Sequence, residues 1–270
     1  MYIRNHPPVT LLAFELLARA SGLMHFVATR TGGVSQPPFH GLNLAFHVGD
    51  DPARVLHNRR ALCAPLGLSP EALVVGNQVH GDGVAVVDER CRGRGAFGHE
   101  TAIEATDAMV TGTPGLCLVV LTADCVPIVL YDPVRSAVGV VHAGWRGTVR
   151  GITGKAVQAM VDAFGTAPAD LLAGVGPSIG PCCYQVGADV LEQVAAALWA
   201  DANLISERTA DGRGNLNLWE ANRRQLVLAG VPPGSVEVGS LCTRCRADMF
   251  FSVRHDGATT GRFATGAMLR

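Results

Sequence analysis

The sequence predicts an α+β fold, on three observations. Apolar, β-branched runs of strand length recur along the chain, four segments carry helical spacing, and the two kinds mix with local turns instead of alternating strictly. The rest is organised around Leu116–Gly151, which reads LCLVVLTADCVPIVLYDPVRSAVGVVHAGWRGTVRG. Its runs Leu116–Leu121, Ile128–Tyr131 and Ala137–Val141 are apolar enough for strands buried on both faces. Polar residues should therefore emerge at their ends: Thr122, Asp124 and Cys125 after the first, and His142, Gly144, Trp145 and Arg146 after the last. Asp132-Pro133 supplies a turn between the second and third runs.

In chain order, His25–Thr29 reads as a short strand, and the Gly- and Pro-rich RTGGVSQPPFHGLNL after it as an ordered loop. Asp51 suits a helix N-cap and Pro52 its first turn, with Val55, Arg59 and Leu62 at helical spacing up to Gly67. Leu73–His80 reads as a strand that pairs with Val84–Asp88 across a Gly81-Asp82-Gly83 turn. Cys91–Glu100 has no periodicity and reads as a mobile surface loop, with Asp107–Thr111 leading into the central stretch. Val157, Met160, Val161 and Phe164 mark the clearest helix, closed by Gly165. Leu171–Val175 is a further strand, Asp189–Ala200 a helix with Val190, Val194 and Leu198 inward, and Ser206–Asn215 a loop. Leu218–Ala229 is a helix stopped by Gly230 and Pro232, and Val236–Leu241 runs into CTRC. No internal repeat or low-complexity linker is evident.

Composition narrows the function. With 270 residues, 48% of them hydrophobic, the chain can bury a large core. Twenty-two basic residues against 23 acidic leave a net charge of −1, so bulk electrostatics attract neither nucleic acid nor an anionic membrane. Mean hydropathy is +0.25, yet no apolar run approaches the roughly 18–20 residues of a membrane span. Val9–Ala20 is apolar, but Glu15 and Arg19 interrupt it, which makes a poor secretory signal. A chain this long does not need its eight cysteines as staples, so reduced thiols and a cytoplasmic protein are expected.

Three residues stand at or just beyond strand ends: His80, Cys125 and His142. Two imidazoles and a thiolate are a valid donor set for Zn²⁺, with Cu²⁺ possible, and they leave a position open for water or substrate. The plainer alternative is two structural histidines and a buried cysteine. Arg146, Thr148 and Arg150 precede the helix that opens near Ile152, among Gly144, Gly147 and Gly151, a pattern suited either to an anion or to a solvated turn. Cys182, Cys183, Cys242 and Cys245 could be read as a four-cysteine zinc site, but Cys-Cys with Cys-x-x-Cys is an atypical spacing, so ordinary thiols are expected.

QVHGDGV, LTADCVPIVLYDP, VHAGWRGT, GVGPSIGPCCYQVG, LWEANRRQL and FFSVRHDGATTGR closely resemble the YfiH-type proteins. These were long called laccase-domain or polyphenol oxidases, and were later described as purine nucleoside phosphorylases with adenosine deaminase side activity. The resemblance runs from TRTGGVS near Thr29 to the end of the chain. It implies a single α/β/β/α layered domain with mixed sheets over residues 1–270, and it places a catalytic metal, usually zinc, on His80, Cys125 and His142. The implied reaction is phosphorolysis of adenosine, inosine, guanosine or methylthioadenosine to base and ribose 1-phosphate, with adenosine deamination beside it. The partners are then purine nucleosides and phosphate, with no nucleic acid or membrane, in a monomer or weak homodimer. Catalytic roles fall to Cys125, His142, Arg146 and Asp124, and substrate contacts to Asn43, Gln78, Arg146 and Thr148. The closing RHDGATTGR differs in length from the family pattern, which leaves Arg254 and Arg262 unassigned.

Laccase chemistry itself does not fit. It needs a blue-copper site and a three-copper cluster, together about ten histidines in His-x-His pairs; this chain has nine histidines and no such pair. Two alternatives of other classes remain. One is a cysteine hydrolase of peptidoglycan precursors, with Cys125 as nucleophile and His142 as base. The other is a non-catalytic nucleoside- or metal-binding module.

Overall fold

The computed structural model describes residues 1–198 and 203–270. Its strands in chain order begin with β1 (Tyr2–His6), β2 (Val9–Ala13), β3 (Leu23–Ala28), β4 (Leu73–Val75) and β5 (Val84–Val86). The central stretch supplies β6 (Ala108–Thr111), β7 (Cys117–Thr122), β8 (Val126–Asp132) and β9 (Ala137–Ala143). There follow β10 (Leu172–Val175), β11 (Gln185–Val186), β12 (Ile205–Ser206), β13 (Gly214–Leu216), β14 (Val236–Val238) and β15 (Phe263–Leu269). The helices are α1 (Pro52–Cys63), α2 (Trp145–Val149), α3 (Ile152–Phe164), α4 (Ala188–Leu198), α5 (Leu218–Leu228) and α6 (Val253–Asp256).

Two six-stranded sheets carry the fold, ordered β1-β2-β3-β15-β7-β4 and β14-β10-β8-β9-β6-β5, beside a small β11-β13-β12 sheet. Both large sheets are mixed: β4–β7, β5–β6 and β10–β14 pair in parallel, the other neighbours antiparallel. The period-2 alternation of side chains explains the layering. Leu118 and Val120 of β7 meet Val138 and Val140 of β9 in a core between the sheets. Cys117, Val119 and Leu121 of β7 face the other way, toward Leu62 and Cys63 of α1. Ala137 and Val141 of β9 pack against Ile152, Val157 and Met160 of α3 and Leu226 of α5. The order is helix, sheet, sheet, helix, and the central strands are buried on both faces as their composition predicts.

Local signals hold where the chemistry is local. The Asp51 carboxylate accepts the Ala53 N–H at 2.9 Å with Pro52 opening α1, and Gly165 closes α3 in the left-handed conformation. Asp132 Oδ1 accepts the N–H groups of Val134 and Arg135, which makes the turn into β9. α4 starts as expected, while its expected end at Ala200 lies outside the described residues.

Three expectations are corrected. The hairpin over Leu73–Asp88 does not form: β4 pairs with β7 in one sheet, and β5 pairs with β6 in the other. The chain between them leaves the first sheet at Gly76 and turns at His80, whose φ is +57°. Cys91–Glu100 is packed down rather than loose. The guanidinium of Arg59, buried under it, donates to the carbonyls of Gly95 and Ala96 as well as Leu44, and Ala96 is wholly buried. Ser206–Asn215 is a loop only over residues 207–213, its ends entering the antiparallel pair β12 and β13; Phe263–Leu269, for which no element was predicted, forms β15 inside the first sheet. Among the described residues no helix is long and apolar enough to cross a membrane.

His25 on β3 accepts the Phe14 N–H on Nε2 at 3.0 Å, so it is held as a neutral acceptor, and burial pushes its pKa down to about 4. Its stabilising contribution is therefore complete above pH about 6.5, where the unfolded imidazole is also neutral, and is lost as pH falls from there to about 4. The loss should amount to at most about 3 kcal/mol. Urea unfolding across this range should show stability falling with pH, with a shallower slope in His25→Gln; an unchanged slope would refute the assignment.

Candidate active site

Two of the segments that carry the chain from one large sheet to the other each deliver a donor. His80 lies between β4 and β5, and Cys125 ends the three-residue link Ala123–Cys125 between β7 and β8. His142 lies on β9, in register opposite Pro127 of β8, on the face that Val138 and Val140 turn toward the other sheet. The ligand atoms of His80, Cys125 and His142 all lie within 4.8 Å of one another. The two rings meet edge-on, with centroids 4.9 Å apart and planes at 78°. A Cβ on Gly144 would come within 3.1 Å of Cys125 Sγ and 3.2 Å of His80 Cδ2, so the absent side chain is part of how closely the donors pack.

Asp107, a residue without a predicted role, organises this corner. It stands just before β6, wholly buried, and its Oδ1 lies 2.8 Å from His142 Nδ1. The same carboxylate accepts the N–H groups of Val79 (3.2 Å), His80 (3.0 Å) and Gly81 (2.8 Å). His142 is thereby fixed with Nδ1 toward Asp107 and Nε2 toward Cys125, the carboxylate–histidine arrangement that orients metal ligands. Burial opposes the charge on Asp107, but the imidazole and the three amides outweigh it and hold the carboxyl below its usual range. Burial likewise opposes a thiolate at Cys125, yet the charge of His142 and hydrogen bonds from His142 and His80 bring the thiol down to about 6. Against burial, Cys125 and Asp107 raise His142 to about 9. The two shifts run together, each charged form favouring the other.

The cluster opens into a cavity of about 230 Å³, room for a base or a sugar phosphate but not for an extended polymer. Arg146 and Arg254 stand on its wall, the first over the Trp145 ring at 4.5 Å and the second over Tyr184 at 5.2 Å. Burial pushes the Tyr184 phenol up, so it stays protonated. Arg254 opens α6, where its N–H donates to Asp124 at 2.7 Å. Trp145, Tyr184 and Arg254 carried no sequence signal of function beyond lying in the family's motifs.

The other candidate residues divide. Asp124, with φ +84°, lines the cavity, but its carboxylate is engaged by Thr243 Oγ1 (2.6 Å) and the Arg254 N–H. Gln78 pairs with both backbone groups of Leu121 at 2.8 Å and ties the crossing segment to β7. Asn43 is wholly buried, bonded to Asp50, Ala45 and the Arg262 N–H. Thr148 is wholly buried against Asn222, within a five-residue helix where a loop was expected, and Arg150 turns outward to Asp82. None of Gln78, Asn43 and Thr148 reaches the cavity wall. With α2 so short, the arginines rather than a helix dipole give the cavity its cationic character.

Residues 24–270 match the family model described as multi-copper polyphenol oxidoreductase laccase. The chain belongs to this family. It is 41% identical over 242 residues, 90% of this chain and 88% of the other, to a protein named purine nucleoside phosphorylase YlmD from Geobacillus stearothermophilus. It is 38% identical over 258 residues, 96% of this chain and 98% of the other, to one named adenosine deaminase RL5 from an unknown prokaryotic organism. The crystal structure of Bacillus licheniformis YfiH superposes with a TM-score of 0.93 at 38% identity, over 99% of each chain.

Asp107→Asn removes the charge and sets an NH₂ group against backbone N–H groups. Metal affinity should fall by roughly 10–100-fold, as with other residues that orient ligands. Competition with a chelator, followed by metal analysis, measures it; unchanged affinity would mean that Asp107 serves the fold alone.

Proposed function

We propose that this chain is a metal-dependent purine nucleoside phosphorylase, with adenosine deamination as a second activity, and that residues 1–270 form one catalytic domain. The observation that carries the reading is a two-histidine, one-cysteine donor cluster opening directly onto a cavity with two arginines and two aromatic rings. The names of the relatives supply the reaction class. His80, Cys125 and His142 fit Zn²⁺, with Cu²⁺ as the other candidate, because the donor types match and His142 is already oriented by Asp107. A bound ion supplies Lewis-acid chemistry at the mouth of the cavity.

The chain's own residues do the remaining work. Trp145 and Tyr184, each with a guanidinium over one face, leave their remaining aromatic surface in the cavity for a purine, and Arg146 and Arg254 hold phosphate beside the ribose. In phosphorolysis a phosphate oxygen bonds to C1′ as the bond from C1′ to the base nitrogen breaks. The ribosyl centre turns cationic on the way, so the adjacent anion both stabilises charge and supplies the nucleophile. Asp124 positions Arg254 by holding its backbone N–H.

Incubating metal-loaded protein with adenosine, with and without phosphate, and separating the products tests this. Adenine formed only with phosphate is the expected result; inosine formed regardless of phosphate would make deamination the main reaction. Cys125→Ala should lose metal and turnover together, and Arg146→Ala should raise the phosphate KM about 10-fold or more, the loss of one charge-assisted contact.

A cysteine hydrolase is favoured by one observation, the Cys125 thiol held near 6 beside His142. In that case metal-free protein should hydrolyse amides, with alkylation at Cys125 rising as pH passes through about 6 and abolishing the activity. If activity instead requires added metal and alkylation only blocks metal uptake, the hydrolase reading fails.

A further inference from the structure

The four cysteines that spacing had left as ordinary thiols converge in space. Cys182 and Cys183 lie in the turn after β10, and Cys242 and Cys245 in the turn after β14. The Sγ atoms of all four lie within 4.8 Å of one another, with Cys183–Cys245 at 3.4 Å and Cys182–Cys245 at 3.7 Å. None is in a disulfide. A tetrahedral zinc site with Zn–S bonds of about 2.3 Å has sulfur–sulfur edges of about 3.8 Å, whereas a disulfide requires about 2.05 Å. The observed separations approach the first spacing and are far from the second.

The surroundings suit thiolates. The Gly180 N–H donates to Cys242 Sγ at 3.3 Å, and the Arg244 guanidinium reaches Cys183 Sγ at 3.5 Å. Four thiolates on a divalent cation carry a net −2, which an amide donor and an arginine partly offset. We propose that Cys182, Cys183, Cys242 and Cys245 together bind one structural Zn²⁺ as a closed tetrathiolate site, separate from the donors of the cavity. The adjacency of Cys182 and Cys183 is accommodated because the turn at Pro181–Tyr184 directs both sulfurs to the same point as the Cys242–Cys245 turn.

The site clamps two loops that meet at the cavity through Ile179, Tyr184 and Asp124. Ser178 and Cys242 form a parallel bridge, the Ile179 N–H donates to the Asp124 carbonyl at 2.9 Å, and Thr243 holds the Asp124 carboxylate. Tyr184 follows Cys183 directly onto the cavity wall. The ion would stabilise this wall without touching substrate.

The test uses the full chain carrying Cys125→Ala, which removes the sulfur donor of the cavity cluster. One zinc per chain should remain. Cobalt substituted into that protein should give the intense ligand-field and sulfur-to-metal charge-transfer bands of a four-sulfur tetrahedral site, and chelation should lower Tm. Adding Cys183→Ser and Cys245→Ser should abolish the stoichiometric zinc and the cobalt spectrum. Should that triple variant fail to fold, the cobalt spectrum of the Cys125→Ala protein decides alone, because four-sulfur coordination is available nowhere else among the described residues. No stoichiometric metal in Cys125→Ala protein, a spectrum lacking four-sulfur character, or a disulfide among these cysteines under reducing purification would each overturn the proposal.

Discussion

Four hydrogen bonds converge on the carboxylate of Asp107, and the candidate active site depends on them. Three come from the successive amides of Val79, His80 and Gly81, and one from His142. Burying a carboxylate costs several kcal/mol, and hydrogen bonds to a charged group return about 1.5–3 kcal/mol each. Four of them are enough to keep the buried group ionised, consistent with its lowered pKa. The backbone consequence matters as much. A non-glycine residue at φ +57° is strained, and His80 stays there because its own N–H and both neighbouring N–H groups are held by one fixed acceptor. The carboxylate that bends the chain out of the first sheet is the one that orients the imidazole on the second.

This explains why the donors cluster although they are distant in sequence. Two stacked sheets must exchange chain somewhere, and the exchange leaves residues outside any hydrogen-bonding ladder at the rim of the inter-sheet core. His80 and Cys125 occupy two such links, and Asp124 joins His80 in the left-handed conformation. His142 and Asp107 share sheet faces with Val140 and Met109, which point into the same core, so the polar corner continues an apolar layer. The cluster is thus dry on one side and open on the other, the environment in which a thiol can be held near 6 while remaining within reach of a ligand.

Sequence reasoning reached four of the helices and the central strands, because each rests on local chemistry such as the Asp51 cap, the Gly165 stop and β-branched runs ending in polar residues, whereas His80, Cys125 and His142 were singled out as donors over the plainer reading only by the family resemblance. It missed what is set by pairing across distance. Gly81-Asp82-Gly83 reads as a hairpin turn, yet β4 and β5 find parallel partners in different sheets, and a parallel partner leaves no local signature. Phe263–Leu269 follows a loop-like RHDGATTGR and gives no sign that it will fill the centre of the first sheet. Asp107 was invisible for the same reason: a lone acid before a strand gains meaning only once four donors surround it. The cysteines show the limit of spacing rules, since two turns distant in sequence bring four sulfurs within 4.8 Å of one another.

The charges around the cavity bear on which chemistry it is built for. Asp107 lies behind His142 and balances it, so a Cys125 thiolate leaves the donor cluster at −1, and the Asp124 carboxylate on the cavity wall adds a second negative charge. Arg146 and Arg254 on the cavity wall offset these two, and Arg262, its guanidinium tied to the carbonyls of Thr260 and Gly261, adds a third cation near Cys125 and Asp124, which leaves a surplus of one positive charge. Attack of water on a neutral purine requires no such surplus, because neither water nor the nucleoside carries a charge to be matched. An anionic co-substrate does require it, since phosphate entering a small cavity gives up hydration that only fixed cations and their N–H groups replace. Arg146 lies over the Trp145 ring and Arg254 over the Tyr184 ring, contacts that keep both guanidinium groups beside the cavity. Two arginines beside one metal-type donor set therefore suit an anionic co-substrate such as the phosphate of the proposed reaction.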